Sequence, residues 1–170
     1  MRKSLPAGYP SAKLRSLTRE KQDLIIKQFT DYYDVCARTL AQQANSDDRT
    51  MAWSMLVRMK LVPHSDVFDH IRPGDVIEIY NQDSVQVFRS FSFFRLISYT
   101  LEELFVHEWW ELYRRPEEAS RKAFEICQNI LRGGVPETVY ECLDVHEVEE
   151  VFSENKTKAR VEEVLLSPLP

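Results

Sequence analysis

The chain has 170 residues, 44% hydrophobic and 29% charged, which suits one globular domain with an appendage and excludes a disordered or fibrous chain. Its net charge of −5 is divided unevenly: residues 1–65 carry 11 Lys+Arg against 6 Asp+Glu, and residues 66–170 carry 11 against 21. The acidic body would repel phosphates and the basic front is poor in aromatics, so nucleic acid is not an expected partner.

Residues 1–16, with Pro6, Gly8 and Pro10, read as a flexible tail. Residues 17–62 read as a helical extension. Thr18 is a cap for a first helix, and Glu20 suits the positive end of its dipole. Ile25, Phe29, Tyr32, Cys36 and Leu40 recur at spacings of four and three and draw one apolar stripe. After Asn45-Ser46-Asp47-Asp48, Met51, Met55, Leu56 and Met59 mark a second helix that stops before Pro63. Two amphipathic faces need a cover, and either the following domain or a second copy would supply it.

Residues 74–168 form the expected main domain. Val76 to Tyr80 and Val85 to Phe88 are β-type runs flanking Asn81-Gln82-Asp83-Ser84, the pattern of a hairpin. A helical middle, Phe91 to Tyr113, follows. A longer helix is predicted from Pro116, with Glu117 and Glu118 at its positive end and the pairs Glu117–Arg121 and Glu118–Lys122 along it. Gly133-Gly134 should end it. Three further strands are predicted, Thr138 to Leu143, Glu147 to Ser153 and Ala159 to Leu166, the last two flanking Glu154 to Thr157 as a hairpin. The second of these also reads as a helical stripe through Val145, Val148, Val151 and Phe152.

Within the helical middle, Phe93, Arg95-Leu96, Tyr99-Thr100, Glu102-Glu103-Leu104, Trp109-Trp110 with Leu112, and Pro116-Glu117-Glu118 stand in a recognisable order and spacing. The run resembles the middle of a PAS domain, the small sensor and docking fold of signalling proteins. The resemblance spans roughly residues 75–167, its motif about 26 of them. It implies an α+β fold: a PAS-like five-stranded antiparallel sheet with short helices and one long helix on one face, here with an N-terminal helical extension. The family's common Asn falls on Ser90, its Gly before the Tyr on Ser98, and its later Gly near Val106-His107. The family's haem sensors carry their ligand on the long helix, and Pro116 to Leu131 contains no His; the flavin subfamily's Asn-Cys-Arg-Phe-Leu motif is also missing.

The resemblance implies a ligand pocket walled by Phe93, Leu96, Tyr99, His107, Trp109, Trp110, Phe124 and Cys127. The same aromatics can equally be plain core. Adjacent on a helix, Trp109 and Trp110 diverge by about 100°, so one should seal the core and the other meet a rim or partner. The bulk of Phe91, Phe93, Phe94 and Phe105 favours a small or closed pocket, and no cofactor is expected. His64, Asp66, Asp69 and His70 sit in a loop beside prolines, which argues against an ordered metal site. Cys127 lies among apolar positions, as an inert thiol does.

No phosphate-cradling loop, G-x-S-x-G or HExxH is present, and no enzyme activity is expected. Three cysteines, Cys36, Cys127 and Cys142, without CxxC spacing argue against a disulfide framework and for a reducing compartment. No signal peptide follows Arg2 and Lys3, and no apolar run approaches the ~20 residues of a membrane span. The expected protein is cytoplasmic and without membrane insertion: a sensory or docking module that touches an unidentified signalling protein and dimerises through Ile25, Phe29, Tyr32, Cys36 and Leu40. The rival is a small-molecule binder or enzyme on a cone-shaped fold of the ketosteroid-isomerase type, with His107, Asp75 or Asp83 as acid–base group.

Overall fold

The computed structural model describes residues 12–62, 67–81, 85–132, 139–141 and 145–166. It begins with three helices. Helix α1 (Ala12–Ser16) lies within the segment expected to be a flexible tail, and its Leu14 is buried in the core. Helix α2 (Arg19–Gln42) starts where Thr18 Oγ1 accepts the Lys21 N–H at 3.4 Å. Helix α3 (Asp48–Met59) starts where the Asp47 carboxylate accepts the Thr50 N–H at 2.8 Å. It ends on Lys60, whose left-handed φ of 59° turns the chain. Helix α3 folds back on α2, and Arg58 donates to Asp31 at 3.1 Å across the pair.

The apolar stripe of α2 is spent inside the chain. Ile25, Tyr32 and Cys36 are buried and Phe29 is half-buried, packed with Met51, Ala52, Met55 and Leu56 of α3. Ile79, Val87, Phe88 and Phe105 from the following segments close the same core. This corrects the assignment of Ile25, Phe29, Tyr32, Cys36 and Leu40 as a dimer face. Only Leu40 stays open, at 37% exposure. A face covered within one chain does not pay the translational and rotational cost of association, so the intramolecular cover wins.

Strands β1 (Glu78–Tyr80) and β2 (Gln86–Arg89) form the expected antiparallel hairpin, with Glu78 opposite Arg89 and Ile79 opposite Phe88. A register shift between Ile79 and Tyr80 places Tyr80 against Gln86. Two short helices follow, α4 (Phe91–Leu96) and α5 (Leu101–Val106), then strand β3 (Tyr113–Arg114), which the sequence did not announce. Helix α6 (Glu117–Leu131) takes Pro116 as its cap and not as its first residue. The expected i,i+4 pairs give way to Arg121 held between Glu118 at 2.5 Å and Glu125 at 3.1 Å. The Gly133-Gly134 stop lies outside the described residues.

The remaining strands are β4 (Val139–Glu141), β5 (His146–Glu150), β6 (Lys158–Val161) and β7 (Val164–Leu166). All pairings are antiparallel, in three small sheets: β1-β2, β3-β5-β6 and β4-β7. The molecule is α+β, but among the described residues no PAS-like five-stranded sheet forms. The segment expected as one strand from Ala159 to Leu166 explains much of the difference. In a continuous strand, consecutive Glu162 and Glu163 would face opposite sides of the sheet and one would point inward. The chain breaks there instead, both glutamates are exposed, and β7 leaves β5 to pair with β4.

Candidate functional site

The Phe93–Glu118 run is fixed by long-range hydrogen bonds as well as by local caps. Asp48, at the start of α3, accepts the Phe91 and Ser92 N–H groups at 2.6 and 2.8 Å, satisfying the open end of α4. Ser90 therefore need not cap α4; its Oγ accepts the Ile77 N–H at 3.0 Å beside the hairpin. Thr100 and Glu103 form a reciprocal capping box on α5. The Tyr99 hydroxyl donates to the Leu112 carbonyl and accepts the Val151 N–H at 2.9 Å and the Phe152 N–H at 3.2 Å. Ser98 donates its N–H and its Oγ–H to the buried Glu150 carboxylate at 2.7 and 2.5 Å. Ser153 Oγ and the Thr157 N–H donate to the same carboxylate, so it is satisfied without a counter-charge. Burial pushes the Glu150 pKa up, but these donors outweigh it and hold it below the usual value.

Against this frame one group stands out. The Arg89 side chain is only 1% exposed. Its Nη2 donates to the Tyr80 hydroxyl at 2.9 Å and lies 3.2 Å from Glu78 Oε2, and the Tyr80 hydroxyl donates in turn to Glu78. Its Cζ sits 4.0 Å from the centre of the Phe93 ring. Arg89 Nε and Nη1 have no hydrogen-bond partner among the described residues, and neither does the buried Tyr113 hydroxyl. Burial works against the guanidinium's charge, yet Glu78, followed by Tyr80 and Tyr113, holds its pKa above the ordinary value. Burial raises the pKa of both phenols, so each keeps its proton and can donate. Arg115 joins the same neighbourhood: its guanidinium lies 5.8 Å from the Tyr113 ring centre, and its pKa is lowered by burial against the pull of Glu78.

A pocket of about 70 Å³ opens at this cluster, walled by Lys21, Ile25, Tyr80, Gln86, Arg89 and Trp109 among others. That is far below the ~300–1,000 Å³ of sites for drug-sized ligands. The expected pocket residues are spread around it. Phe93 and Tyr99 are buried, the first beneath Arg89 and the second pinning the chain. His107 and Trp109 line the pocket. The His107 ring stacks on Phe152 at 3.7 Å, with burial lowering its pKa. Trp109 packs on Tyr80 at 6.5 Å, while Trp110 turns outward at 84° to it and is exposed. Phe124 is exposed beside both tryptophans, and Leu96 is exposed on α4. Cys127 is half-buried, its thiol pushed up to about 11 by burial, which keeps it protonated and unreactive.

Sequence reading missed Arg89, Glu78, Tyr80, Tyr113 and Arg115. The available signal was the hairpin itself: Glu78 and Arg89 end its two strands and face each other across it. Of the acid–base candidates, Asp75 is exposed and its carboxylate accepts the Arg72 N–H at 2.7 Å, and Asp83 lies outside the described residues. His64 and Asp66 also lie outside them, and Asp69 is 3.7 Å from Arg49. Among the described residues no group of three or more His, Cys, Asp or Glu is placed to hold a metal, and no helix is long and apolar enough to cross a membrane. Compared with known proteins, the chain matches no family model, no curated protein and no solved structure.

Proposed function

We propose that this chain is a small-ligand sensing module that signals by changing its contacts with another protein. The observation that carries the reading is the Arg89 guanidinium, buried beside a small pocket with two of its three nitrogens lacking an acceptor. Buried charge is normally fully paired, and groups that break this rule cluster at functional sites. The likeness of the Phe93–Glu118 run to sensor domains supports the same class of function, although the sheets do not follow that family's arrangement.

The pocket adjoins the elements that such a signal would use. Tyr80 and Trp109 connect it to the exposed Trp110 and Phe124, an aromatic surface suited to a partner. A ligand that favours one arrangement of Tyr80 and Trp109 would shift the population of that surface.

A thermal-shift screen over neutral, anionic and aromatic small molecules, with native mass spectrometry of protein from its own source, tests the reading. A true ligand at a hundredfold excess over its Kd raises Tm by about 5 °C or more. A bare mass and no stabilising compound of any class would sink it.

A further inference from the structure

We infer that the unpartnered edge of the Arg89 guanidinium, together with the Tyr113 hydroxyl, is the receptor for a small monoanionic carboxylate. This rests on the sensing reading and specifies its ligand class. Five N–H groups belong to a guanidinium, and the two on Nη2 face Tyr80 and Glu78. The three on Nε and Nη1 and the one on the Tyr113 hydroxyl have no acceptor among the described residues. Four donors in one electrostatic neighbourhood call for an acceptor-only group, which is what a carboxylate offers.

Charge sets the valence. Arg89 and Arg115 are opposed locally by Glu78 alone, so the cluster carries one surplus positive charge. A monoanion neutralises it; a dianion would leave a buried negative charge, and water would leave the surplus in place. Shape and size narrow the ligand further. Phe93 lies against the guanidinium at 4.0 Å, which leaves the planar edge for an in-plane oxyanion. About 70 Å³ of adjoining space admits a ligand of only a few heavy atoms.

Glu78 is then the built-in competitor. Its side chain is 29% exposed, so it has a route to solvent when an external carboxylate takes its place on Arg89. Release of Glu78 frees the Tyr80 hydroxyl, and Tyr80 packs on Trp109, which becomes the natural reporter.

The test uses full-length protein carrying Trp53→Phe and Trp110→Phe, both exposed positions, so that Trp109 is the sole tryptophan. Acetate and formate are titrated against chloride at equal ionic strength and against neutral acetamide, following Trp109 fluorescence and Tm. The expected result is a saturable response to acetate and formate that chloride and acetamide do not give. Tyr113→Phe should weaken acetate about tenfold, and Glu78→Gln should strengthen it by about as much. Arg89→Met should abolish it; since that variant may lose stability, Tyr113→Phe and Glu78→Gln decide the matter. Acetate acting no differently from chloride overturns the inference. So does unchanged affinity in Tyr113→Phe, or a crystal structure in acetate with only ordered water on Arg89 Nε and Nη1. A neutral compound that stabilises the protein while acetate does nothing overturns the carboxylate and leaves the sensing reading standing; no ligand of any class overturns both.

Discussion

At Ser98 a hydroxyl reaches a partner 52 residues away, where the resembling family has a glycine. The Glu150 carboxylate that receives it is buried and accepts four donors from Ser98, Ser153 and Thr157. Ser98→Gly should therefore cost about 2 kcal/mol, the worth of a hydrogen bond to a charged group, in urea unfolding. Ser153→Ala should cost a similar amount, and the double variant less than the sum, because both hydroxyls serve one acceptor. Glu150 adds an acid limb to stability. Its folded pKa is depressed from 4.5, so its contribution is complete above that pH and lost as pH falls through the folded value. Arg89 behaves differently: removing it leaves Glu78 and Tyr80 without their cation, and Arg89→Met should cost about 3 kcal/mol by the same measurement.

Between elements, capping decides how the helical middle is held. The Asp48 carboxylate belongs to α3 yet closes the amino end of α4, taking the Phe91 and Ser92 N–H groups and the Ser92 hydroxyl. Asp48→Ala should cost about 1–2 kcal/mol and loosen α4, seen as faster amide exchange at Phe91 and Ser92 with α2 left protected. The helix end at Lys60 offers the opposite test. Its φ of 59° is a left-handed conformation that a side chain tolerates poorly, so Lys60→Gly should stabilise by a few tenths to about 1 kcal/mol. The caps Thr18 and the Thr100–Glu103 box were legible because their chemistry is local. Asp48 was not, because its two partners lie 43 and 44 residues downstream.

For the whole molecule, the core unites α1, α2 and α3 with the β1-β2 hairpin and α5, so the amino-terminal helices are part of the fold and not an attachment to it. His107 ties the end of α5 to Phe152 beyond β5. Burial, then Lys13, depresses its pKa below 6.5, so the unfolded chain binds this proton first. Stability should fall as pH drops from 6.5 through the lower folded value, and His107→Gln should flatten that part of the profile in thermal melts between pH 5 and 7. The sequence by itself determined where helices and the hairpins begin, because period, caps and turn residues act over a few positions. It also marked α2's apolar face. Only tertiary structure decided what covers that face, that β7 pairs with β4, and that Glu78, Tyr80, Arg89, Tyr113 and Arg115 share one charged interior. Those outcomes depend on which distant surfaces meet and which buried donors find acceptors, and no local period records them.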